Sequence, residues 1–195
     1  MSSDFAIVDL FKSHFFARKL GTKSQISTLK QQMLDYYAND TDGLPYSNPG
    51  CWRSTIRYSN IEWLLQSVED LTNEAIKYYS KIDSTFNESI QDREIRYDYW
   101  TNINKPGSKN ALHRHAEDTF AGVYYIQAEG TGNLRFLNPA NVLNDCNNLS
   151  PFIHEAVVSP QDGELLLWPA WIPHEVEVNP SDKDRMNIVF SVKIQ

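Results

Sequence analysis

From Ser24 the apolar residues Ile26, Leu29, Met33, Tyr36 and Tyr37 recur three or four positions apart, which places them on one face of a helix. The stripe predicts an amphipathic helix to about Ala38, ended by the turn-forming run Asn39-Asp40-Thr41-Asp42-Gly43. A second stripe, Ile61, Leu64, Leu65, Val68, Leu71, Ala75 and Tyr79, follows Ser59, whose hydroxyl is placed to cap a helix while Glu62 reaches back. Apolar faces this broad need a surface to cover. From Glu94 the period changes to two. Ile95-Arg96-Tyr97-Asp98-Tyr99-Trp100-Thr101-Asn102 alternates, and short runs follow near 112–115, 122–127, 133–137, 164–168, 175–178 and 186–193. Many short strands separated by Gly, Pro, Asn and Asp turns point to a sandwich or jelly roll. The expectation is a mainly β protein with N-terminal helices: residues 1–90 as helical support, residues 91–195 as strands, one domain over 1–195 with no linker or internal repeat.

Composition narrows the function more than the fold. A chain of 195 residues with 41% hydrophobic and 22% charged positions can bury a sizeable core. Its net charge of −7, with no cluster of Lys and Arg, argues against a nucleic-acid partner. No apolar run approaches the roughly twenty residues of a membrane span, and Met1-Ser2-Ser3-Asp4 does not open a secretory leader, so no membrane partner and a cytoplasmic setting are expected. Cys51 and Cys146 form neither a disulfide framework nor a thiolate metal spacing.

Chemistry concentrates in two stretches, Leu112-His113-Arg114-His115-Ala116-Glu117 and Pro173-His174, which hold three of the five histidines. Alternation would put His113 and His115 on one face of a strand, able to share a divalent metal, with His174 as the best placed third ligand. Imidazoles with open positions beside them suit non-haem iron. Arg185 opens a run whose other face is Met186, Ile188, Phe190 and Val192, so Arg185, Asn187 and Ser191 point together into the fold. An arginine just beyond a metal is what a dicarboxylate co-substrate needs, one carboxylate on the metal and the other in a planar two-point grip. His14 and His154 sit in no motif.

The order Trp100-x-Asn102, Pro106-Gly107, Asn110, His113-x-His115, Ala121-Gly122-Val123-Tyr124-Tyr125-Ile126, Gly132-x-Leu134-x-Phe136-x-Asn138-Pro139 resembles the small 2-oxoglutarate/Fe(II) oxygenases of bacteria and marine phages. Gly163-Glu164-Leu165, Trp168-Pro169-Ala170-Trp171-Ile172-Pro173-His174 and Arg185 fit that family's late strands. Upstream, Tyr46-Ser47-Asn48-Pro49-Gly50-Cys51-Trp52-Arg53-Ser54 is similar to its Ser-Asn-x-Gly-Gly-Trp-x-Ser segment, with Cys51 replacing a glycine. The resemblance implies a double-stranded β-helix, a cupin-like jelly roll with helices packed on one face. It also implies an Fe(II)- and 2-oxoglutarate-dependent hydroxylase that consumes O2 and releases succinate and CO2.

Two ligand sets remain open: His113, His115 and His174, as the resemblance implies, or His115, Glu117 and His174, a two-histidine, one-carboxylate triad. Arg185 would grip the distal carboxylate of 2-oxoglutarate and Asn187 add a hydrogen bond. The family match makes Asn102 a further contact. Tyr124 and Tyr125 are adjacent, so only one faces the barrel, and Tyr125 is taken as the cofactor contact. Trp168 and Trp171 would wall the pocket. The substrate expected is a small molecule or peptide. Two other functions fit parts of the pattern: a cupin-like three-histidine dioxygenase or isomerase without 2-oxoglutarate, and a non-catalytic jelly-roll binding module.

Overall fold

A computed structural model describes residues 13–44, 50–139 and 155–195. The Tyr46–Pro49 part of the family-like segment, Cys146 and His154 lie outside the described residues.

Helix α1 (Lys23–Asn39) buries Leu29 and Met33. It begins one residue earlier than the stripe suggested, because Thr22 caps it: the Thr22 hydroxyl accepts from Gln25 N–H while the Gln25 side chain accepts from Thr22 N–H. Helix α2 (Glu62–Ile82) buries Leu64, Val68, Leu71, Thr72 and Ala75, the expected seam. Its expected Ser59–Glu62 capping box is not formed. Asn60 turns the chain with φ 56°, and Ile61 occupies the cap position without a side-chain bond. Ser59 is instead engaged by α1: Gln32 Oε1 accepts from Ser59 N (2.8 Å) and Oγ (3.1 Å), and Gln32 Nε2 donates to Ser59 O (3.1 Å). A tertiary partner outcompetes the local cap. A short helix the pattern did not reveal, α3 (Ser84–Ile90), is capped by Asp83.

The strands are β1 (Phe16–Lys19), β2 (Cys51–Ser54), β3 (Ile95–Asn104), β4 (Asn110–His113), β5 (Phe120–Gln127), β6 (Leu134–Leu137), β7 (Glu155–Val158), β8 (Glu164–Pro169), β9 (His174–Val176) and β10 (Arg185–Ile194). They form a six-stranded sheet, β1-β8-β5-β10-β3-β2, and a four-stranded sheet, β4-β9-β6-β7. Every pairing is antiparallel, and neighbours such as β8 and β5 or β9 and β6 are distant in sequence, as in a double-stranded β-helix. The part of the chain read as purely helical support also contributes the two edge strands β1 and β2.

Alternation along β8 and β10 separates two cores. Leu165, Leu167, Met186, Ile188, Phe190 and Val192 join α1 and α2 in one cluster on the outer face of the six-stranded sheet. Leu166, Trp168, Val123, Tyr125 and Phe136 pack between the sheets. The helices thus cover one face, and Arg185, Asn187 and Val189 are left facing the barrel interior. Each fully buried Leu or Val of α2 stabilises by about 1.5–3 kcal/mol. No helix among the described residues is long and apolar enough to cross a membrane.

Candidate metal centre

His113 ends β4 and lies directly across from His174, the first residue of β9. His115 is not on that strand. The strand stops at His113, and His115 is returned to the same place by a turn in which its N–H donates to Ala170 O (3.0 Å) and its carbonyl accepts from Asp118 N (3.2 Å). The simple alternation expected for the pair therefore fails, although the two rings still meet. Ring centroids are 4.4 Å apart for His113 and His174, 5.2 Å for His113 and His115, and 5.3 Å for His115 and His174. One nitrogen from each lies within 4.8 Å of the others.

The far side of each ring is held. His113 Nδ1 contacts Ala111 O at 2.7 Å and His174 Nδ1 contacts Ile172 O at 2.9 Å. A carbonyl only accepts, so both Nδ1 atoms carry the proton and both Nε2 lone pairs are free to ligate. His115 Nδ1 faces the Asp118 carboxylate at 3.5 Å. Burial, reinforced by His113, pushes the His174 pKa down to about 3. Burial and His113 also lower that of His115, against the opposing pull of Asp118. The His115 and His174 rings are thus kept as neutral donors, which suits a divalent cation. The carboxylate alternative does not join them: the Glu117 side chain is 90% exposed and turned to Lys193 Nζ, 3.7 Å away.

The histidines open onto a cavity of about 280 Å3, into which Arg185, Asn187, Asn102 and Tyr125 also project. Arg185 is 2% exposed. Its Nε donates to Thr131 Oγ1 (3.0 Å), and its Nη2 donates to the carbonyls of Thr131 and Gly132. Gly132 has φ 93°, and a Cβ there would meet Val178 O at 2.8 Å and Arg185 Nη2 at 3.1 Å, so glycine is required for this close approach. The grip expected from the sequence must be revised. One edge of the guanidinium is used by the protein, leaving Nη1, which makes no hydrogen bond among the described residues, as the end available to a ligand. No carboxylate among the described residues pairs with it either. The Glu177 carboxylate acts on it only from beyond ion-pair distance, and a buried cation without a direct ion pair is costly, so it marks a place for an anion.

Asn187 lies in register with Asn102 on one side and Tyr125 on the other. Asn102 Nδ2 donates to Asn187 Oδ1 at 3.4 Å. Tyr125 is the inward tyrosine, 3% exposed, and burial raises its pKa so that the phenol keeps its proton. Tyr124 points to the helices and donates to Leu20 O at 3.1 Å. Trp168 does wall the site, edge-on to His174 at 5.0 Å, whereas Trp171 is 50% exposed and lines no part of the cavity. Trp100 stacks on His115 at 5.9 Å, and the Arg53 guanidinium lies over the Trp100 ring, 4.2 Å from its centroid. Asp118 and Thr131 were not singled out from the sequence, since neither stands in a motif, and Arg53 entered only as the variable position between Trp52 and Ser54. His14 bonds to Tyr78 Oη at 3.0 Å, outside the site.

Residues 98–191, the stretch from β3 to β10 that carries the three histidines and Arg185, match the family model described as "Putative 2OG-Fe(II) oxygenase". Over that stretch the chain is similar to the 2OG-Fe(II) oxygenases. Solved structures similar to the chain include a Pseudomonas putida prolyl-4-hydroxylase, at 14% identity over 93% of this chain and 92% of that one, with a TM-score of 0.62. A prolyl hydroxylase from Trichoplax adhaerens, solved in complex with a hypoxia inducible factor peptide fragment, is 18% identical over 92% of this chain and 83% of its own, with a TM-score of 0.60. HygX from Streptomyces hygroscopicus, solved with nickel, 2-oxoglutarate and hygromycin B bound, is 11% identical over 93% of this chain and 83% of its own, with a TM-score of 0.56. At such identities the likeness establishes the shared double-stranded β-helix. No curated protein matches the sequence. Fe(II), 2-oxoglutarate and O2 are the cofactor and co-substrates of the oxygenase family.

Proposed function

We propose that this oxygenase domain holds Fe(II) through Nε2 of His113, His115 and His174, takes 2-oxoglutarate with its distal carboxylate against Arg185, and hydroxylates a small molecule or peptide. The balance is substrate C–H plus 2-oxoglutarate plus O2 to substrate C–OH plus succinate plus CO2. The observation that carries the reading is Arg185, a buried cation without an ion-paired carboxylate among the described residues, facing the same cavity as three clustered imidazoles.

Bound iron would supply the oxidative decarboxylation and the oxygen transfer. The chain's own work is placement. Thr131 and Gly132 hold the guanidinium so that Nη1 donates to the carboxylate. Tyr125 Oη, protonated, offers a further donor, and Asn187, steadied by Asn102, offers an amide. Trp168 and Trp100 keep water from the imidazoles. A three-histidine centre without a co-substrate, or a jelly roll that only binds, would leave the Arg185 charge buried and unpaired. The reading further takes 1–195 as one domain in a cytoplasmic setting, which a chain of two cysteines with no disulfide framework suits.

The test is an anaerobic titration of 2-oxoglutarate into the Fe(II)-protein, following the metal-to-ligand charge-transfer band, with succinate measured on admitting air. His174→Ala should lose iron. Arg185→Ala should keep iron and lose about 2–4 kcal/mol of 2-oxoglutarate binding, roughly thirty- to a thousand-fold, because the carboxylate is left desolvated. No band in the wild type, or an Arg185→Ala variant that titrates like it, overturns the assignment.

A further inference from the structure

The three histidines are not held alike. His113 and His174 turn Nδ1 to backbone carbonyls, which are neutral acceptors, whereas His115 turns Nδ1 to a carboxylate, Asp118 Oδ2, at 3.5 Å. Both partners are withdrawn from solvent, with side chains 13% and 10% exposed. We propose that Asp118 is a positioning residue of the metal centre: it orients His115 and supplies, one imidazole removed from the metal, the negative charge that an all-histidine ligand set lacks. The inference rests on the three-histidine reading above.

The backbone prepares this contact. Asp118 N donates to His115 O at 3.2 Å, closing the turn that brings the carboxylate back to the Nδ1 edge of the ring. The next residue is fixed from both sides, Thr119 N donating to Val192 O (2.7 Å) and Thr119 O accepting from Ala170 N (3.0 Å). The second carboxylate oxygen, Oδ1, lies 3.7 Å from Lys193 Nζ. A carboxylate this buried costs free energy unless paired, and it is paired at both ends. An imidazole whose N–H faces a carboxylate is a stronger metal donor, and losing such a partner typically weakens metal binding 10–100-fold. Two-histidine, one-carboxylate centres carry a formal charge of −1 in their ligands, and three neutral imidazoles carry none. Of the two adjacent acids after His115, Glu117 turns outward and Asp118 turns in, so the carboxylate sought as a direct ligand is present behind one.

The experiment measures Zn(II) affinity by competition with a chromophoric chelator and the charge-transfer band of the Fe(II)–2-oxoglutarate protein. Asp118→Asn keeps size and removes charge, so affinity should fall about 10–100-fold and the band should move to higher energy, with Asp118→Glu recovering part of both. A residue that merely closed the turn would not move the band. Affinity within about twofold of wild type with an unmoved band overturns the proposal, as does Asp118→Glu losing as much as Asp118→Asn. Should Asp118→Asn not fold, Lys193→Gln decides: it frees the carboxylate from its competing cation, so affinity should hold or rise, and a tenfold loss overturns the idea. If the wild type binds Zn(II) no better than His174→Ala, the metal centre itself is misassigned. If it binds better and Asp118→Asn matches it, only this inference falls.

Discussion

At the residue scale the site is governed by what burial does to charge. His174, 3% exposed, has its pKa pulled from the usual 6.5 to about 3, with His115 lowered in the same direction. For a group whose folded pKa lies below its unfolded value, the unfolded chain takes up the extra proton between the two. The stability associated with His174 is therefore complete above pH 6.5 and is lost as pH falls toward 3. Denaturant midpoints of the metal-free protein should fall between pH 7 and pH 5, and His174→Gln should flatten that fall; an equally steep profile in the variant would assign the sensitivity elsewhere. Arg185 shows the same physics with the opposite sign of need, since it cannot shed its proton and must find an anion. Motif and alternation singled out His113, His174 and Arg185 in the sequence, and the fold brings all three to one cavity. The sequence left Glu117 open as an alternative ligand, because which of two adjacent acids turns inward depends on the turn at His115 and on Lys193, far away along the chain.

At the scale of elements, periodicity was informative wherever an element buries one face. The stripes of α1 and α2 and the alternation of β10 are read directly from spacing, and β10 sorts its residues between the helices and the cavity as expected. Elements made by distant pairing left no such trace. β1 is four residues long and is a strand because it lies along β8, with Phe16 opposite Leu167. β2 exists through β3 in the same way. Ser59 reads as a cap from local sequence and becomes a partner of Gln32 once α1 and α2 are side by side. The division of labour makes a prediction. Leu64, fully buried on α2 on the side away from the cavity, should cost about 2–5 kcal/mol as Leu64→Ala in denaturant titration, while metal affinity of the folded variant stays within about twofold. Parallel loss of both would mean that the helical layer and the site are not separable.

Across the whole molecule, a single sheet serves two unlike cores, one apolar under the helices and one that ends in three imidazoles and a guanidinium. The tether of Arg185 to Thr131 and Gly132 has a consequence for the life of the protein rather than for its chemistry. On the proposed reading, folding traps a positive charge that 2-oxoglutarate neutralises, so the co-substrate would act as a missing piece of the interior. At about one hundred times its dissociation constant, a ligand confined to the folded state adds about 2.7 kcal/mol. Thermal midpoints and resistance to proteolysis of the Fe(II)-loaded protein should therefore climb with 2-oxoglutarate concentration, and that response should vanish in Arg185→Ala; a wild type indifferent to 2-oxoglutarate would refute it. A cell short of 2-oxoglutarate would then hold this protein in its more perishable form, and abundance as well as turnover would follow the supply of one small acid.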